Sequence, residues 1–152
     1  MTTLRSSVRV QAPAQRVWEL VSDLPAMGAL SPENTGGTWR GGATGPALGA
    51  RFRGSNRNGV RRWSTSVRVV SCQPPEAFAF DVSFAGIPVA RWAYDVHDEG
   101  GDTCTVTETW LDRRPGWFRG PAGITTGVRD REAHTQGNLE RTLAALKRVA
   151  EG

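Results

Sequence analysis

Cysteine is scarce here: Cys72 and Cys104 are the only two in 152 residues. They form no CxxC motif and build no disulfide framework, so both read as reduced structural thiols. Histidine is equally sparse. His97 and His134 stand without ligand spacing, and no metal site is expected. No apolar run approaches the roughly 18 residues that a membrane span needs. Arg5 and Arg9 interrupt any signal-peptide core at the N-terminus, which predicts a cytoplasmic protein. The nucleophile elbow G-x-S-x-G is missing. Gly42, Gly45 and Gly49 have neither Walker nor Rossmann spacing and read as a flexible loop. No motif calls for a cofactor.

Acidic residues are unevenly absent. None lies between Glu33 and Glu76, while the same stretch holds Arg40, Arg51, Arg53, Arg57, Arg61, Arg62 and Arg68. Lys147 is the only lysine among 19 basic residues, and the net charge is +4. An anionic partner could dock on such a stretch, and a solvated outer sheet face accounts for it equally. Strand alternation spreads these charges over one face, so sequence-selective nucleic-acid binding is not expected.

What the chain does have is bulk. Hydrophobic residues make up 38%, with six Trp and five Phe, which favours a single folded domain over 1–152 rather than disorder. Residues 4–10 alternate as a strand, with Leu4, Ser6, Val8 and Val10 on one face. Pro13 opens a helix to about Asp23, carrying the stripe Val17, Leu20, Val21 and Leu24. Residues 31–49 read as loop apart from a short strand at 38–40. A meander follows. Asn58-Gly59 is a strong hairpin signal, and a two-residue turn there predicts Gly54 opposite Trp63 and Phe52 opposite Thr65. Arg68 should then face Asp81 across the next pair. Later strands place Phe78, Phe80, Val82 and Phe84, then Trp92, Tyr94 and Val96, then Cys104, Val106, Glu108 and Trp110 inward. A long helix is predicted from about 123 to 150, with Leu139, Leu143, Leu146 and Ala150 as its stripe. The order gives an α+β domain of six to seven antiparallel strands around one long helix.

The inward faces are not uniformly apolar. Tracing the final helix back from Leu139 brings Gln136, Thr135, Glu132 and Val128 onto the same side. Glu108, Tyr94, Thr65, Asn56 and Ser6 point inward from the sheet among aromatics. Burying unpaired polar groups is costly, so they need partners, water or a ligand. An apolar cavity with a few convergent polar groups is the usual form of a small-molecule site. Phe80, Trp92, Tyr94, Glu108, Trp110, Val128, Glu132 and Gln136 are therefore predicted to line a ligand pocket. Glu108 and Glu132 are the candidates for acid–base work, since two carboxyls in an apolar site push one pKa up. Pairing with an Arg such as Arg131, or separation across the cavity, is the plainer alternative. Trp117 and Phe118, flanked by Arg113, Arg114 and Arg119, could cap the pocket mouth, touch a membrane surface, or tuck against the helix start.

Three segments, VRVQAPAQRVWELVSD, GGATGPALGARFRGSNRNGVRRWSTSVRVV and REAHTQGNLERTLAALKRVAEG, resemble members of the START-like superfamily. Within it the chain is similar to the polyketide cyclase/dehydrase and lipid-transport group, which has the helix-grip fold of the birch pollen allergen. The resemblance covers essentially the whole chain and implies a cavity without a shared catalytic motif. It implies a carrier of a small hydrophobic or aromatic ligand or a polyketide aromatase/cyclase. An interaction protein acting through the basic sheet face is the third possibility. Its oligomeric state is open between monomer and homodimer.

Overall fold

A computed structural model of the chain describes residues 3–31, 34–118 and 131–152. Its strands are β1 (Thr3–Val10), β2 (Asn34–Arg40), β3 (Arg51–Asn58), β4 (Arg61–Gln73), β5 (Ala77–Phe84), β6 (Ile87–Gly100) and β7 (Thr103–Asp112). They form one seven-stranded antiparallel sheet in the order β1-β7-β6-β5-β4-β3-β2. Strands β2 to β7 follow one another in space as in sequence, the arrangement that short connections enforce. The first strand closes the other edge against the last. Helix α1 (Ala14–Ser22) and a 3-10 turn, Leu24–Ala29, link β1 to β2 across the sheet. Helix α2 (Arg131–Glu151) lies against the concave face, which is the helix-grip arrangement. The predicted helix start, 123–130, lies outside the described residues.

Alternation and helical period build the core. On β7 every second residue, from Cys104 through Val106 and Glu108 to Trp110, is buried. On α2 the stripe Leu139, Leu143, Leu146 and Ala150 is buried throughout. Trp18 of α1 packs edge-on against Phe78 at 6.2 Å and donates its indole N–H to the Ala77 carbonyl at 2.8 Å. Three side chains, those of Arg16, Lys147 and Glu151, tie the C-terminal end of α2 to the start of the chain. Arg16 donates to the carbonyls of Ala150 and Val149, satisfying helix-end acceptors that have no partner within the helix. The single lysine, Lys147, donates to the Arg9 carbonyl at 2.8 Å and pairs with Glu151 at 2.7 Å. Glu151 in turn accepts from the Gln11 amide at 2.7 Å.

The structure corrects two readings. The β3–β4 hairpin is present, but Asn58 pairs with Arg61, so its turn residues are Gly59 and Val60. Asn56 therefore faces Trp63, and Gly54 faces Thr65 rather than Trp63. A turn centred on Asn58-Gly59 would need positive φ at both residues. Only Gly59 has it (φ 63), which suits the turn type with glycine first. The slip preserves which residues face inward, because both partners stay on the same side of the pleat. Arg68 does face Asp81. The second correction is β2, which runs from Asn34 rather than from 38. Its Gly37 lies so close to β3 that a Cβ would sit 2.0 Å from the Arg53 carbonyl oxygen. The strand exists because β3 offers a partner and glycines permit the approach, which period-2 alternation does not report.

Candidate functional site

Buried apolar side chains fall into two clusters instead of one. The larger spans α1, the sheet centre and the C-terminal half of α2; the smaller holds Ala90, Trp110 and Leu139, and Trp92 packs against both. A cavity of about 140 Å³ borders both clusters. Its walls are mostly aromatic and aliphatic. Phe80, Trp92, Tyr94, Glu108 and Trp110, all predicted to line a pocket, line this one. Phe52, Trp63, Phe84 and Phe118 complete its aromatic lining.

Two of the predicted residues cannot be placed in it. Val128 lies outside the described residues, and so does the side chain of Glu132, so the Glu108–Glu132 pairing is not described either. Gln136 is a correction. Its amide reaches the Arg5 carbonyl and the Glu140 carboxylate, both at 3.4 Å, over the edge strand β1. Thr135 and Asn138 line the cavity in its place. Helical period alone allows either flank of the Leu139–Leu143 line to face the chamber. The docking of α2 on β1, through Gln136 and Lys147, sets the rotation that turns Thr135 and Asn138 inward.

Glu108 is the chemical centre of the cavity. It is 1% exposed and stands between Ser6 on β1 and Tyr94 on β6 in the strand register. The Tyr94 hydroxyl, on the only tyrosine, donates to Glu108 Oε2 at 2.5 Å. Burial pushes the Glu108 carboxyl from the usual 4.5 up to about 8, against the opposing pull of that hydrogen bond. Burial likewise pushes the Tyr94 phenol well above its usual value, with the neighbouring carboxyl adding to the shift. At neutral pH the pair is therefore an uncharged acid held by an uncharged phenol. Glu108 Oε1 and Asn138 Oδ1 are buried without a hydrogen-bond partner. The other inward polar pair is satisfied: Asn56 donates to Thr65 Oγ1 at 3.2 Å.

Arg114 was not among the predicted lining residues. It lines the cavity, and its guanidinium makes a two-pronged contact with Asp112, both bonds at 2.9 Å, with both side chains almost wholly buried. The Asp-x-Arg spacing at the end of an alternating strand was the available signal. Of the two loop aromatics, Phe118 is buried and stacks near Phe84 at 6.1 Å, while Trp117 is 69% exposed. His97 is exposed on the outer side of β6. Among the described residues no group of three or more His, Cys, Asp or Glu could hold a metal ion. No described helix is long and apolar enough to cross a membrane.

Among solved structures, a Polyketide_cyc-like protein of Corynebacterium glutamicum is similar at 28% identity and a TM-score of 0.64, covering 97% of this chain and 90% of that one. A Thermobifida fusca protein matches at 24% identity and a TM-score of 0.67, over 97% and 91% of the two chains. The di-domain ARO/CYC StfQ, from the steffimycin biosynthetic pathway, shares the fold with a TM-score of 0.75 at 10% identity, and this chain spans 50% of it. No curated protein matches the chain. The model of the family described as polyketide cyclase/dehydrase and lipid transport matches residues 1–151. With that match over a helix-grip fold, the chain belongs to the polyketide cyclase/dehydrase and lipid transport family.

Proposed function

We propose that the chain binds a small aromatic ligand, about one ring in size, in the cavity between the sheet and α2. The observation that carries this reading is the chamber of about 140 Å³, walled by Trp and Phe, with the Glu108–Tyr94 pair set in its wall. An apolar cavity of about 150 Å³ takes a benzene-sized guest, whereas sites for larger molecules run from about 300 Å³ upward. Trp92, Trp110 and Phe80 supply flat faces for ring contact. Titration with p-xylene, followed by ligand NMR and tryptophan fluorescence, tests the reading. One equivalent should bind, and Trp92→Ala should weaken it roughly tenfold, the effect of losing about 1.4 kcal/mol of contact. Failure of both p-xylene and p-cresol to bind at millimolar concentration would sink it.

One observation favours a second, catalytic reading. A carboxyl at about 8 can both give and take a proton near neutral pH, as a cyclase base or acid must. The similarity to ARO/CYC structures supports it. The one-ring cavity weighs toward the carrier, since folding a long polyketone needs more room. Glu108→Gln separates the two. It should hardly change retention of an apolar guest, yet it should slow a ring closure that uses Glu108 by roughly 10²-fold or more.

A further inference from the structure

The Glu108 carboxyl leaves one oxygen unused. Tyr94 occupies Oε2, and Oε1 is buried with no partner. Asn138 on α2 has the same defect: the residue is 4% exposed, and its Oδ1 is buried with no partner. Both residues line the same chamber, and neither atom bonds to the other. Leaving a buried polar atom without a partner is costly, and native proteins hold few of them. Two in one apolar cavity mark the place where a guest puts its polar group.

We propose that the cavity selects a small hydroxylated aromatic, a phenol, whose hydroxyl lies between Glu108 Oε1 and Asn138 Oδ1. The inference rests on the reading above, that the cavity holds an aromatic ring, and adds which ring it holds. With the carboxyl neutral and Tyr94 donating to Oε2, the acid proton sits on Oε1, turned away from Tyr94. That O–H needs an acceptor, while the Asn138 carbonyl oxygen needs a donor. A hydroxyl is both. A ketone would satisfy Glu108 and leave Asn138 unpaired. A carboxylate would set its charge against the Asn138 oxygen in a low-dielectric chamber. An alkyl group would leave both oxygens orphaned.

A pair of isosteres tests this on the full chain at pH 6.5: p-cresol and p-xylene differ only in exchanging a hydroxyl for a methyl. Hydrophobicity favours p-xylene, so a preference for p-cresol reports hydrogen bonding in the site. We expect p-cresol to bind at least tenfold tighter, and the preference to fall below threefold in Asn138→Leu. A second readout uses the unaltered protein, so it holds even if that variant folds poorly. The Glu108 side-chain carboxyl carbon resonance should move on adding p-cresol and stay still on adding p-xylene. Equal binding of the two guests would overturn the phenol inference while leaving the aromatic-cavity reading intact. A cresol preference that survives in well-folded Asn138→Leu, or a Glu108 resonance indifferent to cresol, would also overturn it. Failure of both guests to bind would remove the underlying reading, and the inference with it.

Discussion

Glu108 makes stability depend on pH in a direction that can be worked out. Its carboxyl stays protonated in the fold up to about 8, but in the unfolded chain it ionises near the usual 4.5. Between those values the folded protein binds the extra proton, so the free energy of unfolding falls as pH rises. The slope approaches about 1.4 kcal/mol per pH unit and levels off above the folded value. Asp81 acts in the opposite sense and in a lower window. The Arg91 hydrogen bond, aided by Arg113, holds its carboxyl below the usual 3.8, so its contribution is lost only in acid. Unfolding free energies from urea titrations at pH 5 and pH 8.5 should differ by a few kcal/mol in the parent and hardly at all in Glu108→Gln. Matching slopes in the two proteins would mean that Glu108 titrates normally. Tyr94→Phe removes the one hydrogen bond that favours the charged carboxyl. The Glu108 titration, followed by carboxyl-carbon NMR, should therefore move to still higher pH.

Helix α2 shows how one element can be half anchor and half wall. Its C-terminal half packs Leu143 and Leu146 into the main cluster, while Thr135 and Asn138 near its start face the cavity. Leu146 is wholly buried, so Leu146→Ala should cost about 2–5 kcal/mol in urea unfolding. Val149, 40% exposed on the same turn, should change stability by less than about 0.5 kcal/mol when cut to Ala. A similar cost for both would mean the helix packs differently. On the other side of the molecule, edge strand β2 depends on Gly37. An alanine there collides with the Arg53 carbonyl and the Phe52 ring. Gly37→Ala should speed amide hydrogen exchange along β2 and β3 while leaving β6 and β7 protected.

Seen whole, the molecule separates an apolar interior from a basic exterior. Arg40, Arg51 and Arg68 stand opposite one another on β2, β3 and β4, and a shallow groove beside them also takes in Arg53 and Arg113. Like charges directly across strands destabilise a sheet slightly. Asp81, the acid in that groove, is already engaged by Arg91 and Arg113. Phosphate polymers should therefore be attracted at low salt, without sequence preference, and released as ionic strength nears physiological. Retention on DNA that survives physiological salt and discriminates sequence would contradict this.

Much of the architecture was legible in the chain because period and polarity are local properties. The inward set Cys104, Val106, Glu108 and Trp110 follows from alternation, and the stripe Leu139, Leu143, Leu146 and Ala150 from helical spacing. Even the misplaced hairpin register left each residue on its proper face, since a slip that keeps pairs in step does not turn the pleat over. The burial of Glu108 among aromatics could likewise be read from its place on β7. Of three features not read from the chain, the first is a matter of local dihedrals, and the other two depend on contacts between segments that no short window of sequence carries. Gly59-Val60 became the turn because the backbone dihedrals of one glycine set its type. Asn138, and not Gln136, faces the cavity because bonds from α2 to the β1 backbone fix the helix's rotation about its axis. Tyr94 meets Glu108 because β6 and β7 pair in one particular register, and burial there, felt only in the folded state, keeps the carboxyl uncharged.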